Sequence, residues 1–189
     1  MIKPLHSRKD SAVSRLAPTM ALTQGQDALM AEVLSFCRAH RADDHAVFVI
    51  EGDAGTGKSL LLNTLFTAIQ QAARGHDIHD PLYGTHNFLL VNHPEMIKLY
   101  RNISQNQTAL RKKDFERPTT FINRAYGGAR RADIVLVDEA HLLLTRSDPY
   151  NRFRQNNQLE EIIRHAHVVV IIFDAHQVLK FKSLWDGAS

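Results

Sequence analysis

The chain of 189 residues contains very little cysteine, and Cys37 is its single thiol. One cysteine excludes an intramolecular disulfide and a thiolate cluster around a metal, and the apolar helical spacing around Cys37 predicts a buried, inert side chain. No apolar run approaches the ~18 residues needed to span a bilayer. The positive charges of residues 1–20 precede no apolar block, which argues against a secretory signal. We therefore expect a protein of the reducing cytoplasm.

Strong compositional bias is absent as well. The net charge is only +3, with 44% hydrophobic and 23% charged residues, as in ordinary globular proteins. This mild basicity is compatible with a nucleic-acid partner but does not establish one. Because there is no internal repeat or low-complexity tract, the length predicts a single domain. We expect residues 1–20 to form a basic, flexible arm and residues 21–189 to form the domain.

Strand-like apolar runs alternate with segments of helical periodicity along the chain. The strand-like runs are HAVFVIE (45–51), NFLLVN (87–92), ADIVLVDEA (132–140) and HVVVIIFDA (167–175). Helical patterns cover residues 22–40, with Thr23 as the cap, and residues 58–74, 94–103 and 158–166, whereas TTFINRA (119–125) predicts a short strand or turn leading into a helix. The alternation predicts a three-layer α/β domain with a mainly parallel sheet.

The stretch GDAGTGKS fits the phosphate-loop pattern completely, with a predicted strand before it and a predicted helix after it. Glycines in this loop let the backbone turn its amides towards phosphate oxygens, and the helix N-terminus adds partial positive charge. Lys58 can reach the β- and γ-phosphates, and the Ser59 hydroxyl can bind Mg²⁺. The sequence therefore predicts ATP and Mg²⁺ as cofactors. The predicted contacts are Gly52, Asp53, Ala54, Gly55, Thr56, Gly57, Lys58 and Ser59.

Two adjacent carboxylates end the third apolar run, in the segment IVLVDEAH. In an open parallel sheet, ligands gather at the carboxyl ends of the strands, where the phosphate loop would also lie. Asp138 can hold Mg²⁺ directly or through water, and Glu139 can polarise a water towards the γ-phosphate. We therefore predict Asp138 and Ser59 as metal ligands and assign catalytic roles to Glu139 and Lys58.

The segments GDAGTGKS, VLVDEAH and FDAHQVL, in this order, resemble motifs I, II and III of superfamily-one helicases. More closely, the chain resembles a bacterial family of helicase-like ATPases related to the helicase domain of the Schlafen group-three proteins. The resemblance implies a RecA-like domain in which Gln177 reports the γ-phosphate as a third catalytic residue. LTQGQ resembles the Q-motif of the superfamily, which implies that Gln26 lies against adenine. Without the other motifs, Gln177 would be interpreted as a polar turn residue.

The same resemblance implies contacts to single-stranded DNA or RNA. LLVNHPEMIKLYRN occupies the position of motif Ia and PTTFINRAY that of motif Ib, which implies contacts from Asn92, His93, Thr120 and Phe121. For Phe121, a place in the hydrophobic core is the alternative to base stacking, because stacking needs an exposed ring.

The chain departs from the superfamily in having no counterpart of motifs IV to VI, which belong to a second RecA-like domain. That domain supplies arginines that stabilise the transition state, so we expect weak hydrolysis by this chain alone. Arg146, Arg152 and Arg154 lie in the polar segment 144–157, which we expect to be a mobile loop. They are either substitutes for those arginines or solvated loop charges.

The prediction is thus the ATP-binding domain of a superfamily-one helicase or translocase. An AAA-like ATPase that remodels proteins and a non-catalytic ATP-binding module are the alternatives. Two further segments are not interpreted as sites. HDIHD (76–80) has poor spacing for a metal site, and the basic run RKKDFERP (111–118) is typical of a solvated loop.

Overall fold

The computed structural model describes residues 22–52 and 56–174 of the chain. Five α-helices and five β-strands alternate in them. The helices are α1 (Gln24–His40), α2 (Lys58–Arg74), α3 (Pro94–Ile103), α4 (Pro118–Tyr126) and α5 (Gln158–Arg164). The strands are β1 (Ala46–Glu51), β2 (Asn87–Leu90), β3 (Phe115–Glu116), β4 (Ala132–Val137) and β5 (Ala166–Phe173). No described helix is long and apolar enough to cross a membrane.

All strand pairs in the five-stranded sheet are parallel, and the strand order is β1-β5-β4-β2-β3. Every connection is therefore a crossover, as the alternation of apolar runs and helical patterns predicted. The carboxyl ends of β1, β5 and β4 lie side by side, with Glu51 opposite Phe173 and Val137 opposite Ile171. The order brings the segments that follow these three strands to one edge of the sheet.

Two hydrophobic clusters cover the two faces of the sheet. Alternate residues of β4 point to opposite faces, so Leu136 packs with α1, α2 and α3, whereas Val137 packs with α4 and α5. Cys37 is fully buried in the first cluster, which confirms its predicted burial, and this burial raises the pKa of its thiol to about 12. The chain therefore has the predicted three-layer α/β architecture, consistent with a RecA-like domain.

The prediction of a strand or turn at residues 119–125 was wrong, because the segment lies within α4. Pro118 occupies the first turn of this helix, where its fixed φ and missing amide hydrogen are favourable. The helix buries Phe121 and Ile122 against the sheet. Tertiary packing thus outweighs the strand preference of the threonine, phenylalanine and isoleucine side chains.

The basic run 111–118 exposes its basic side chains, as a solvated face predicts, but it is more than a loop. It contains the short edge strand β3, whose Phe115 is fully buried. Asp114 is 2% exposed and receives two hydrogen bonds from Arg74, of 2.7 and 2.8 Å. A buried carboxylate needs such a paired arginine, so this ion pair attaches the basic run to α2.

The polar segment 144–157 is fastened to the domain, although its composition predicted a mobile loop. Asp148 and Phe153 form an antiparallel bridge with hydrogen bonds of 2.8 and 2.9 Å. The Phe153 side chain is fully buried in the cluster beneath α4 and α5. One aromatic anchor in a polar stretch has no periodicity, which is why the sequence pattern did not reveal it.

Candidate nucleotide-binding site

Three adjacent parallel strands deliver the predicted nucleotide-binding residues to one edge of the sheet. β1 leads into Gly52, β4 into Asp138, and the intervening β5 into Asp174. The Gly52 amide continues the sheet by donating to the carbonyl of Phe173, at 3.2 Å. The Asp138 amide likewise donates to the Leu90 carbonyl, at 3.0 Å. The sheet therefore fixes where each of these segments begins.

The described part of the phosphate loop has the backbone geometry that its glycines allow. Gly57 has a φ of +80°, in the left-handed region, and directly precedes α2. A Cβ at Gly52 would meet the Lys58 side chain at 3.3 Å, so a side chain there would crowd the loop. Thr56 and Ser59 lie on either side of Gly57 and Lys58, with Ser59 in the first turn of α2. Asp53, Ala54 and Gly55 lie outside the described residues.

Lys58 folds back over the loop that precedes it. Its ammonium group donates a hydrogen bond to the Gly52 carbonyl and lies 3.7 Å from a carboxylate oxygen of Asp174. Asp174 is 3% exposed. Sequence reasoning missed this residue, although it ends the apolar run of β5 just as Asp138 ends that of β4. The ammonium group is thus held at the carboxyl edge of β1 and β5 by a buried negative charge.

Asp138 is a buried carboxylate, only 6% exposed. Burial and the neighbouring charge of Glu139 raise its pKa to about 6, and the positive charge of Lys58 partly opposes the rise. Lys58 and Asp138 therefore interact electrostatically across the edge of the sheet. A buried carboxylate with a raised pKa is poorly compensated in the protein alone, and a bound cation would stabilise it.

Tyr100 lies behind Asp138 and carries no signal in the sequence. It is fully buried in α3, and its ring stacks on that of Phe115 at 5.6 Å between centroids. Among the described residues its hydroxyl has no hydrogen bond of ordinary geometry. Burial, followed by the charge of Asp138, raises the pKa of Tyr100 well above its usual range. The tyrosine therefore stays neutral beside the carboxylate.

Glu139 has an unusual backbone conformation. Its φ and ψ are 49° and 53°, the left-handed region that residues with a Cβ rarely adopt. Such a conformation costs about 1–2 kcal/mol. It turns the chain sharply after β4 and leaves the Glu139 side chain exposed beside the buried Asp138. Strain of this kind is concentrated at functional sites, and it occurs here at the predicted catalytic residue.

Gln26 contacts the phosphate loop. It also helps to cap α1, a role that the Q-motif resemblance did not suggest. Its side-chain amide donates to the Thr56 carbonyl at 3.0 Å. Its amide oxygen accepts from the backbone of Thr23 at 2.9 Å, which completes a capping box at the start of α1. The structure thus brings Gln26 to the loop and confirms Thr23 as the cap. A contact with adenine stays a prediction.

Comparison with known proteins identifies the family. Residues 45–189 match the model of the Schlafen group 3, DNA/RNA helicase domain. The chain belongs to this family. The match to the Schlafen group 3 helicase domain includes the phosphate loop, Asp138 and Glu139, and begins after α1, so it does not include Gln26.

A relative of this helicase-family domain is the uncharacterised protein YPL245W of Saccharomyces cerevisiae. It is 43% identical over 185 residues, which cover 94% of this chain and 40% of the yeast protein. The chain thus spans about two fifths of that relative's length. The relative comes from a yeast, whereas the sequence resemblance pointed to a bacterial family. No solved structure matches the chain significantly.

The helicase-family domain brings together only some of the residues predicted to contact nucleic acid. His93 and Thr120 are exposed near the first turns of α3 and α4. Asn92 is half-buried and donates a hydrogen bond of 2.8 Å to the carbonyl of Leu142, in the turn after Glu139. Phe121 is 2% exposed and packs edge-on against a neighbouring ring, so base stacking by Phe121 was wrong and the core alternative is confirmed.

The remaining candidates are the loop arginines and the glutamine after β5. Arg146, Arg152 and Arg154 are all exposed. Arg152 and Arg154 line a cavity together with Asn123 of α4, and no residue of the phosphate loop lines it. Gln177 lies outside the described residues.

Proposed function

We propose that this domain binds ATP with Mg²⁺ at the carboxyl edge of β1, β5 and β4 and hydrolyses it. The observation that carries the proposal is the convergence at this edge of a glycine loop, a lysine ammonium group and a buried carboxylate. The loop runs from Gly52 to Ser59, the ammonium group is that of Lys58, and the carboxylate is that of Asp138. The loop with Lys58 follows β1 and the carboxylate follows β4, and the parallel sheet brings the ends of these strands to one edge.

The phosphates would bind over the loop and the N-terminus of α2. There the amide groups of the first turn lack intrahelical partners, and the helix dipole favours negative charge. Because Gly52 has no Cβ, the side chains of Thr56 and Lys58 can lie close to its backbone at the start of the loop. Lys58 would exchange its contact with the Gly52 carbonyl for the β- and γ-phosphates, while the Asp174 carboxylate stays near its ammonium group.

The residues at this edge also suit Mg²⁺, which prefers oxygen ligands. The Ser59 hydroxyl and the Asp138 carboxylate supply oxygen. The described residues include no group of three or more histidine, cysteine or acidic side chains that could hold a metal ion. A site with so few protein ligands is typical of Mg²⁺ that arrives with a nucleotide, because the phosphates and water complete the coordination. The metal would neutralise charge on the phosphates, and the chain would position it through Asp138.

Glu139 is the residue we assign to the attacking water. Its left-handed backbone conformation turns the chain directly after Asp138, and its side chain is exposed. The neighbouring carboxylates thus separate into a buried one and an exposed one. We infer that Asp138 binds the metal while Glu139 accepts a hydrogen bond from water and orients it towards the γ-phosphate.

Membership of the helicase family supports a helicase or translocase that acts on single-stranded DNA or RNA. The same membership weakens the alternative of an AAA-like protein remodeller. A non-catalytic ATP-binding module remains the competing function, and measured turnover separates the two. Stimulation of ATP hydrolysis by single-stranded DNA or RNA is the property that would link the nucleotide site to nucleic-acid binding.

Binding of a fluorescent ATP analogue tests the nucleotide site. Lys58→Ala should weaken binding by about 10- to 150-fold, because it removes charge-assisted hydrogen bonds to phosphate. Lys98→Ala is the matched control, since Lys98 is 70% exposed and pairs with Glu95 in the same helix. Equal affinity in the two variants, with both folded, would overturn the assignment of the loop.

Turnover is then measured with and without single-stranded DNA and RNA. Glu139→Gln should keep ATP affinity and lose hydrolysis, because only the group that orients water is removed. Stimulation of the parent protein by either polymer supports the helicase function. Tight ATP binding without turnover under any of these conditions would instead favour the non-catalytic module.

A further inference from the structure

The segment between β4 and α5 presents a tyrosine on a hydrogen-bonded turn. Backbone hydrogen bonds of 2.8 and 2.9 Å join Asp148 and Phe153, and the Asp148 carboxylate accepts two more from Asn151, of 3.1 and 2.7 Å. Phe153 is fully buried below this turn. Tyr150, at its tip, is 95% exposed. The ring is thus fully presented to solvent by a backbone that is fastened on both sides.

Arg152 in the same turn has a φ of 58°, again in the left-handed region. This conformation costs about 1–2 kcal/mol for a residue with a Cβ. Glycine or asparagine would adopt it at lower cost, and the chain nevertheless uses arginine. The Arg152 carbonyl accepts a hydrogen bond of 3.1 Å from Asn123, which fixes the turn against α4. A strained, anchored and charged residue at a surface is reason to look for a ligand.

Three adjoining cavities run between this turn and α4, and we call them together the α4 groove. Their volumes are about 280, 650 and 590 Å³. The first and second share Arg117, Thr119 and Asn151, and the second and third share Asn123 and Arg152. The groove is therefore continuous. It begins next to Leu142, in the turn that follows Glu139.

The α4 groove is positively charged. Among the described residues, four arginines line it and no carboxylate does. Arg124 is already paired with Glu116 at 3.1 Å. Arg117, Arg152 and Arg154 are exposed and make no ion pair within the described part of the chain. The first turn of α4 lies in the same groove, and a helix N-terminus attracts anions as well.

We propose that the α4 groove binds single-stranded nucleic acid, with Tyr150 as a base-stacking platform and Arg117, Arg152 and Arg154 as phosphate contacts. An exposed aromatic ring above a basic groove is the combination that single strands require, because every base has a face for stacking and every nucleotide a phosphate. A duplex offers no unstacked base to Tyr150. This proposal rests on the proposed function, because it assigns the single-stranded DNA or RNA of that function to a particular surface of the domain.

The turn is a new element of recognition, outside the segments that resemble motifs Ia and Ib. Phe121 of motif Ib is buried and does not line the groove, whereas Tyr150 supplies an exposed ring to it. Asn92 and Leu142 line the end of the groove and are hydrogen-bonded to each other at 2.8 Å. A strand in this groove would therefore contact the turn that follows the predicted catalytic residue.

Fluorescence anisotropy with labelled oligothymidylate and oligouridylate tests the α4 groove. Tyr150→Ala should weaken binding about 5- to 150-fold, and Tyr150→Phe should retain it, because stacking needs the ring and not the hydroxyl. Tyr83→Ala is the matched control, since Tyr83 is 44% exposed and does not line the groove. Loss of the ring at position 150 should not disturb the fold, since the ring has almost no buried surface.

Salt dependence separates stacking from phosphate contacts. Arg152→Asn keeps a residue that tolerates the left-handed conformation and removes the charge. It should lower the slope of log affinity against log salt by about 0.7, the value for one phosphate contact on a single strand. Arg117→Gln should do the same. Tyr150→Ala should leave the slope unchanged. Arg41→Gln is the control, because Arg41 is exposed in the segment between α1 and β1, and it should alter neither the affinity nor the slope.

Two results of the binding assays would overturn the proposal while leaving the proposed ATP site intact. One is strand binding that neither Tyr150→Ala nor Arg152→Asn alters. The other is a parent protein that binds no strand, although its ATP binding still depends on Lys58. A change in self-association caused by Tyr150→Ala, with strand binding unaffected, would assign the turn to a protein contact and would also overturn it. Failure of Lys58-dependent ATP binding would instead reject the proposed function.

Discussion

Replacement of Asp138 by asparagine should stabilise the protein when no metal or nucleotide is bound. Burial and the charge of Glu139 raise the pKa of Asp138 from 3.8 to about 6. Each pKa unit corresponds to about 1.4 kcal/mol of difference between the two protonation states. A difference of about 2 units therefore means that the charged form costs about 3 kcal/mol in the folded protein. Asparagine has nearly the same shape and removes that cost.

The effect has a definite sign with pH. Because the pKa is higher in the folded state, the folded protein binds more protons than the unfolded chain between about pH 4 and 6. Asp138 thus lowers the free energy of unfolding as pH rises through this window, and the loss is complete above pH ~6. The gain from Asp138→Asn should therefore be largest at pH 7.5 and disappear near pH 4.

Urea denaturation of both proteins in EDTA measures the effect. With a slope of about 2 kcal/mol per molar urea, a gain of 3 kcal/mol moves the midpoint by about 1.5 M. Glu139→Gln is the control, because Glu139 is exposed and its replacement removes only the repulsion between its charge and that of Asp138. A variant no more stable than the parent at pH 7.5, or a gain of equal size at pH 4, would refute the reasoning. Mg²⁺ with ATP should reverse the order, because only the parent has the carboxylate to bind the metal.

Three further changes test the geometry, each by urea denaturation. Gly57→Ala should lower the free energy of unfolding by about 1–2 kcal/mol, because Gly57 has a φ of +80° and a Cβ would lie 2.8 Å from the Gln26 amide. It should also weaken ATP binding. An unchanged urea midpoint would contradict the loop conformation. Phe153→Ala should cost about 3–5 kcal/mol by leaving a cavity in the core, and a mobile loop would lose almost nothing. Arg74→Met should cost about 3 kcal/mol or more by leaving Asp114 buried and unpaired, and adding Asp114→Leu should recover part of the loss. No recovery in the double variant would argue against an unpaired charge as the cause.

The central strands β4 and β5 could be predicted from the sequence because they are buried on both faces of the sheet. Both strands are almost continuously apolar, which is typical of a parallel sheet covered on both faces. The phosphate-loop motif between the predicted β1 and α2 supports the same α/β architecture. The start of α4 was missed although it carries the same signal as the start of α3, a proline in the first turn. Its strand-like composition outweighed that signal in the sequence interpretation.

The parts that could not be predicted depend on contacts between distant residues. β3 has only two residues, and the arginine that holds the preceding Asp114 lies 40 positions earlier in the chain. Tyr100 reaches Asp138 from another element, with no pattern to link them. Asp174 could have been found, since it ends an apolar strand in the same way as Asp138.

Backbone strain connects the two candidate sites. Among the described residues, only Glu139 and Arg152 combine a side chain with a positive φ, and both lie in the segment between β4 and α5. One stands at the nucleotide edge and the other in the α4 groove. Between them, Asn92 holds the carbonyl of Leu142, so the segment is fastened soon after Glu139 as well as at its buried anchor. A segment with strain at both ends and fixed points between them has few ways to relax. The nucleotide edge and the α4 groove are therefore joined by one fastened segment, which is where we would place any coupling between hydrolysis and strand binding.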